Sequence, residues 1–193
     1  MRTQDTALHQ DTKFTYEDYL HFPEDKRCEI IDGEVSLAPS PDKIHQDISR
    51  NLGFILWEFV KKNDLGLVYY APFDVVLSDI DIVQPDLIFV SKERKHIVTE
   101  KNIQGAPDIV IEILSPSSQY KDKVIKAKLY KKFGVTEYWL IDPQEKQITI
   151  HDFSSSKRKP STAIYTLAIY NFDEIFESPL LPGLKISLKE LFI

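Results

Sequence analysis

Two short apolar segments in the middle of the chain predict strands that are buried on both faces. Residues 83–90 and 107–114 are rich in β-branched side chains and are bounded by turn-forming residues. Nearly continuous apolar runs of this length are typical of central strands. Asp86 and Glu112 stand among these apolar neighbours. Because an unpaired buried carboxylate is costly or takes up a proton, both are expected to meet a cation or hydrogen-bond donors.

The segment after the second strand has the spacing of a helix. Over residues 117–133, a count of about 100° per residue from Lys121 groups one apolar face. That face contains Asp122, Ile125, Leu129 and Phe133. Lys126 falls at its margin, at about 140°, so its amine is expected to lean toward the sheet. Four other lysines of this helix are expected to point away from the sheet: Lys121, Lys128, Lys131 and Lys132.

The rest of the pattern predicts one α/β domain, in which a mixed β-sheet is flanked by helices and extended by hairpins at both ends. Pro85 cannot donate a ladder hydrogen bond, so we expect a bulge or local fraying inside the strand over residues 83–90. Helices are predicted at 16–21 and 42–63, a hairpin at 28–37 around Asp32-Gly33, and further strands at 67–71, 73–77, 137–141, 147–151, 162–169 and 184–188.

Composition indicates an ordinary globular chain. With 193 residues, 42% hydrophobic and 28% charged, it is long enough for one substantial core. We expect a flexible tail at residues 1–12 and a single domain at 13–193. Cys28 is the only cysteine, which excludes an internal disulfide and a cysteine-built zinc site and favours the reducing cytoplasm. The sequence shows neither a signal-peptide pattern nor an apolar run approaching the roughly 18 residues that cross a bilayer, so no membrane association is expected.

The charge distribution is uneven. A net charge of -6 argues against a protein that coats nucleic acid through bulk electrostatics. Residues 121–132 nevertheless contain six lysines and one aspartate. This basic helix suits a phosphodiester substrate if it lies beside an acidic site, but a solvated helix face explains it equally well.

The residues around the two carboxylates carry a resemblance to a known family. Pro85-Asp86 and Glu112 resemble the PD-(D/E)XK nuclease motif, and about residues 13 to 190 resemble a restriction endonuclease-like family that is abundant in cyanobacteria and was formerly a domain of unknown function. The resembling segments are residues 16–20, 28–34, 84–86, 107–117 and 134–143, together with Asp122, Lys126 and Tyr130. The position two after Glu112, where the motif has its lysine, is Leu114. The resemblance implies that the following helix can supply the lysine instead, and helix geometry nominates Lys126.

Two carboxylates from adjacent strands make an oxygen-rich site that suits a hard ion such as Mg²⁺, with Mn²⁺ as a substitute. We therefore predict a metal-dependent endonuclease that hydrolyses phosphodiester bonds in DNA. Asp86 and Glu112 are its predicted metal ligands, and Lys126 is expected to orient the attacking water and to offset charge on the phosphate.

Glu29 and His45 are further candidates for the catalytic site. Glu29 on the first hairpin strand either turns toward the carboxylates, as a ligand or water-orienting group, or remains a charge at the hairpin rim. His45 lies in the buried stripe of the long helix, close to its start. It is either a hydrogen-bonded core residue or, as the resemblance implies, a contact for a phosphate or a metal-bound water. Asp108 lies about 13 Å from Glu112 along an extended strand, so we predict a structural role for it.

Two other functions remain open from the sequence. The first is a catalytically inactive module with the nuclease fold, which binds nucleic acid or has a regulatory role. Leu114 and the acidic net charge suggest it. The second is a metal-assisted hydrolase of a small phosphate ester. A homodimer is expected only by analogy with restriction enzymes that cut both strands.

Overall fold

The structure, a computed structural model, describes residues 13–23, 27–38, 40–154 and 166–193. The tail predicted at residues 1–12 and the first part of the strand predicted at 162–169 lie outside these ranges. Described helices and strands follow the order α1 (Tyr16–Tyr19), β1 (Cys28–Ile31), β2 (Glu34–Leu37), α2 (Lys43–Lys62), β3 (Gly66–Tyr70), β4 (Asp74–Ser78), β5 (Asp81–Val83), β6 (Leu87–Ser91), β7 (Asn102–Gln104), β8 (Ile109–Ile113), α3 (Ala127–Phe133), β9 (Glu137–Asp142), β10 (Gln147–Asp152), β11 (Thr166–Tyr170), β12 (Ile175–Glu177), β13 (Lys185–Ser187) and α4 (Leu188–Leu191).

Two elements near the start of the chain form as local sequence signals predict. Thr15 caps α1, because its hydroxyl accepts from the Asp18 N–H while the Asp18 carboxylate accepts from the Thr15 N–H. The Asp32-Gly33 turn joins β1 to β2, and both turn residues have positive φ, 51° and 78°. Such a turn matches the twist of a two-residue hairpin. The predicted hairpin and the capped helix are confirmed.

The described strands form two mixed sheets and one small ribbon. The first sheet has the order β2-β1-β5-β4-β7, and the second has the order β11-β10-β9-β8-β6-β3. Parallel pairing occurs between β4 and β7 and between β8 and β9, whereas the other pairs are antiparallel. The ribbon consists of β12 and β13. Mixed sheets flanked by helices confirm the predicted α/β class.

The strand predicted over residues 83–90 is wrong in extent. Its first part ends in β5 of the first sheet, and its second part begins in β6 of the second sheet. Gln84, Pro85 and Asp86 form the crossing between the sheets. Pro85 has no N–H to donate, so the ladder ends there instead of bulging. Asp86 consequently lies just before the first residue of β6, at the edge of the second sheet.

Helices cover both faces of the second sheet. The long helix α2 packs Leu52 and Leu56 against one face, together with Leu87 and Ile111. On the opposite face, Val110 packs with residues of α3 in a second core cluster. Strand alternation places Glu112 on the same face as Val110. The helix that follows β8 therefore lies over Glu112. None of the described helices is both long and apolar enough to cross a membrane.

Candidate active site

Asp86 and Glu112 meet at one end of the second sheet. Leu87 is paired with Ile111 in the antiparallel register of β6 and β8, so the next residues along these strands, Asp86 and Glu112, are brought side by side. The Ile113 N–H donates to Asp86 Oδ2 over 2.8 Å and fixes that carboxylate. Both acids line a cavity of about 820 Å³, which we call the acidic cavity.

Lys126 brings its amine to the same acids. Its Nζ lies 2.8 Å from Glu112 Oε1 and 2.8 Å from Glu29 Oε1, with Asp122 Oδ1 at 3.5 Å. The Lys126 side chain is only 5% exposed. The Tyr130 hydroxyl also donates to Glu112 Oε1, over 2.9 Å. The lysine that the sequence nominated is therefore held among three carboxylates.

The helix that carries this lysine does not begin as an α-helix. Its Lys121–Lys126 segment is π-helical and only the following turns form α3. The wider turn changes the direction of each side chain, so the α-helical count misplaces two of them. Ile125, predicted on the apolar face, is 39% exposed. Lys121, predicted to point away, instead contacts Glu29 Oε2 and donates to Ser36 Oγ over 2.6 Å.

Glu29 lies in the acidic cavity and is only 3% exposed, so it is not a rim charge. The Gln84 N–H donates to Glu29 Oε1 over 3.1 Å, which ties β1 to the crossing between the sheets. Burial by itself raises the pKa of Glu29, but the charges of Lys126 and Lys121 outweigh it and lower this pKa to about 2. Glu29 is therefore an anion that helps to hold both amines.

His45 reaches Asp86 from the start of α2. Asp42 caps this helix by accepting from the His45 N–H over 2.8 Å. His45 Nε2 lies 3.0 Å from Asp86 Oδ2, whereas its Nδ1 is buried without a hydrogen-bond partner within the described residues. Burial lowers the pKa of His45, but its hydrogen bond to Asp86 and the charge of Asp86 raise it overall. His45 therefore orients Asp86 through Nε2.

The acidic cavity carries an excess of negative charge. Its ionisable lining residues among those described are Arg27, Glu29, Asp42, His45, Asp86, Glu112, Lys121, Asp122 and Lys126. With every carboxylate ionised and His45 neutral, five of these anions stand against three cations. Burial raises the pKa of Glu112 well above its usual range although Lys126 opposes the shift, and the carboxylates of Asp122, Asp86 and Glu29 add to it. A divalent cation would balance this excess charge.

The donor set fits Mg²⁺ better than a metal that needs many protein ligands. Within the part of the chain that the structure describes, no group of three or more His, Cys, Asp or Glu side chains forms a metal-binding cluster. Mg²⁺ is commonly bound through one or two carboxylates while it keeps several waters and contacts substrate phosphates. Asp86 and Glu112, which line an open cavity, meet that requirement.

Comparison with known proteins places the chain in a family. Residues 16–189 match the family Uma2, described as "Putative restriction endonuclease". The chain belongs to the Uma2 family. The crystal structure of "a putative nuclease belonging to DUF820 from Anabaena variabilis ATCC 29413" has a TM-score of 0.76 and 23% sequence identity, over 93% of this chain and 97% of that chain. The search of curated proteins finds no match. Family and fold confirm the predicted resemblance and support a nuclease role.

Leu114, two residues after Glu112, serves packing in this Uma2 member. It is 4% exposed and belongs to the core cluster that contains Ala127 and Leu129. An amine at this position would have to displace that packing. The amine that lies beside Glu112 is that of Lys126, which enters the cavity from the turns that precede α3.

Three residues around Glu112 and Lys126 were not named as site residues from the sequence, namely Lys121, Asp122 and Tyr130. Asp122 and Tyr130 stand four residues before and after Lys126, a spacing that puts them on its side of a helix. Their spacing and the family resemblance were the available signals. Lys121 had no such signal, because its direction depends on the π-helical turn.

Asp108 of this Uma2 member is structural, in agreement with the prediction. Its Oδ2 accepts from the Ser91 N–H over 2.7 Å, and its Oδ1 accepts from Arg94 Nη1 over 3.2 Å. Asp108→Ala is expected to lower the free energy of unfolding by about 1–3 kcal/mol, since it leaves the partly buried Ser91 N–H unpaired. Cleavage per folded molecule is expected to stay unchanged. Urea unfolding together with a nuclease assay checks this, and a selective loss of cleavage would contradict it.

Proposed function

We propose that the protein is a metal-dependent endonuclease that hydrolyses phosphodiester bonds in DNA. The observation that carries this proposal is the convergence of Asp86, Glu112 and the Lys126 amine on one cavity. Asp86 and Glu112 would hold Mg²⁺, with Mn²⁺ as a substitute. When bound, the ion supplies Lewis-acid polarisation of the phosphate and lowers the pKa of a bound water toward neutrality.

Lys126 acts in this proposal as a fixed positive charge. Burial lowers the pKa of Lys126, but Glu112, Glu29 and Asp122 outweigh burial and raise it well above the usual value. The amine consequently keeps its proton and is not the general base. From its position beside Glu112, it can orient a water and offset the negative charge that develops on the phosphate.

Glu29 and His45 are proposed as positioning residues. Glu29 holds the amines of both Lys126 and Lys121 through its two oxygens. His45 Nε2 orients Asp86, because an ionised carboxylate can only accept a hydrogen bond.

The competing function, an inactive nuclease-fold module, is suggested by Leu114 and by the acidic net charge. The position of Lys126 weakens the first of these two arguments, since an amine does lie beside Glu112. We therefore favour catalysis over a purely regulatory role and over a small phosphate ester as substrate. Homodimer formation and a cytoplasmic location are part of the proposal only as expectations from the sequence.

A substrate panel tests the proposal. Purified protein is incubated with plasmid, linear DNA, single-stranded DNA and RNA, each with Mg²⁺, with Mn²⁺ or with a chelator. We expect DNA cleavage with either ion and none with the chelator, because both carboxylates need the cation to act on a phosphate. Cleavage that persists in the chelator, or a failure to cut any polymer, would contradict the proposal.

A further inference from the structure

A second cavity of about 340 Å³ adjoins the acidic cavity. Arg27, His45 and Asp86 line both, and the hydrogen-bonded pair of His45 and Asp86 lies at the junction between the two cavities. The second cavity is further lined by Arg50 and Tyr70, and we call it the basic cavity. None of the residues proposed for chemistry, apart from the junction pair, lies in its wall.

The charge of the basic cavity is opposite to that of its neighbour. Among the described residues, its wall carries Arg27 and Arg50 against one carboxylate, Asp86. That carboxylate is already engaged, because Asp86 Oδ2 accepts from the Ile113 N–H and contacts His45 Nε2. The two guanidinium groups therefore dominate, and guanidinium groups bind phosphate well.

Neither arginine is neutralised by its contacts with the residues that the structure describes. Arg27 donates through Nε to the neutral Gln84 Oε1 over 3.3 Å. Arg50 Nη1 donates to Asp47 Oδ1 over 3.0 Å, but Asp47 also pairs with Lys43, so its single charge is shared between two cations. The Arg50 side chain is 68% exposed and can meet a ligand.

Tyr70 adds an aromatic surface to the same cavity. It is the last residue of β3 and is 41% exposed. Its ring lies against α2 at Gly53, where a Cβ would lie 2.9 Å from Tyr70 Cζ and closer still to Cε1. Gly53 therefore lets the ring pack on the helix, and the helix fixes the ring beside the arginines.

We propose that the basic cavity binds the nucleotide next to the scissile phosphate, with its phosphate on the arginines and its base stacked on Tyr70. The inference rests on the proposed nuclease function, since it places the scissile phosphate at Asp86 and Glu112. Pockets for small ligands span about 300–1,000 Å³, so the basic cavity suits one nucleotide and not a base pair.

This geometry defines a substrate class. A base stacked on Tyr70 inside the cavity has left the stack of its own strand, which costs least where the strand is unpaired. The preferred substrate is therefore single-stranded DNA, or DNA with an unpaired nucleotide beside the cleaved bond. Intact duplex, which must first open, is bound more weakly.

Binding without cleavage tests the proposal. Fluorescence anisotropy in a chelator compares a labelled single-stranded oligonucleotide with a hairpin duplex of the same sequence. Tyr70→Ala is expected to weaken single-strand binding about 5- to 100-fold, the range for one lost stacking contact, with little change for the duplex. Tyr70→Phe keeps the ring and should bind as the wild type does. The matched control is Trp57→Ala, which removes a 43% exposed aromatic outside the cavity.

Two further variants separate stacking from charge. Gly53→Ala leaves Tyr70 in the chain but displaces its ring. This variant is therefore expected to weaken single-strand binding, as Tyr70→Ala does. Arg50→Ala is expected to reduce the slope of log affinity against log salt by about 0.7, the value for one phosphate contact on a single strand. Lys62→Ala, at the exposed end of the same helix, should not alter that slope.

Equal binding of single strand and duplex by the wild type would overturn the proposal. It would also be overturned if Tyr70→Ala and Trp57→Ala lost equal amounts of affinity for the single strand, or if neither variant lost any. Because cleavage is not measured in this experiment, a Tyr70-dependent preference in a protein that cuts no polymer would contradict the proposed nuclease function alone and would still support the nucleotide site.

Discussion

Glu112→Gln is expected to lower the rate of DNA cleavage at least about 10³-fold while the protein remains folded. A bound divalent ion contributes several kcal/mol to the transition state, and each ~1.4 kcal/mol is a factor of ten in rate. An amide in place of the carboxylate weakens the hold on that ion. Lys126 keeps Glu29 as a partner after this substitution, so no cation is left buried alone. Initial cleavage rates with Mg²⁺ measure the loss of activity, and thermal unfolding shows whether the variant is folded.

Glu137→Gln is the matched control for this variant. Glu137 is also a buried glutamate, on the neighbouring strand β9, but it accepts hydrogen bonds from Trp139, Ser178 and Leu180 and does not line the acidic cavity. We expect normal cleavage per folded molecule from this control. If both variants lose activity equally, or if Glu112→Gln cuts DNA normally, the assignment of Glu112 is wrong.

Lys126→Met is expected to have the largest effect on stability, lowering the free energy of unfolding by about 3–5 kcal/mol. The substitution leaves Glu112, Glu29 and Asp122 around an apolar group in place of their common cation. Cleavage is expected to fall as well, because the charge beside the phosphate is lost. Urea unfolding measures the first effect, and cleavage under conditions where the variant is folded measures the second.

The control and the double variant make this test specific. Lys128→Met removes an exposed lysine two residues further along and should change stability little. Combining Lys126→Met with Glu112→Gln removes one of the uncompensated carboxylates, so the double variant is expected to be more stable than Lys126→Met alone. Equal stabilities of Lys126→Met and Lys128→Met would show that the buried ion pairs contribute nothing.

Elements with strong local signals were predictable from the sequence. The helix after Thr15, the hairpin around Asp32-Gly33 and the long helix α2 each have a cap or turn residue that fixes them locally. The short strands β7 and β12 were missed. Three residues contain too little periodicity to identify a strand, and the pairing that forms them comes from distant parts of the chain.

Pro85 shows why the division into two sheets was not predicted. Apolar residues stand on both sides of it, at 82–83 and 87–90, and the interruption between them is only three residues long, so the pattern was read as one strand. Proline removes one hydrogen-bond donor from the ladder. This loss is compatible with a bulge inside one strand and also with a passage of the chain from one sheet to the other. Only the pairing partners decide between them, and β5 pairs with β1 and β4 whereas β6 pairs with β3 and β8.

The proximity of Asp86, Glu112 and Lys126 was predictable. Strand alternation gives the directions of the two carboxylates, and helix spacing gives the direction of Lys126 in the segment that follows. The place of Glu29 was an open alternative, since it depends on how the first hairpin docks on the crossing between the sheets. Lys121 was predicted wrongly. A π-helical turn redirects it toward Glu29, and the sequence of the lysine helix contains no rule that distinguishes this turn from an α-helical one.

The binding of a divalent ion by Asp86 and Glu112 is the claim on which the account depends, and calorimetric titration of Mn²⁺ into the folded protein tests it most directly. We expect one ion per chain for the wild type, and a loss of that binding in both Asp86→Asn and Glu112→Gln but not in Asp108→Asn. An affinity for Mn²⁺ that is the same in all four proteins would contradict the account.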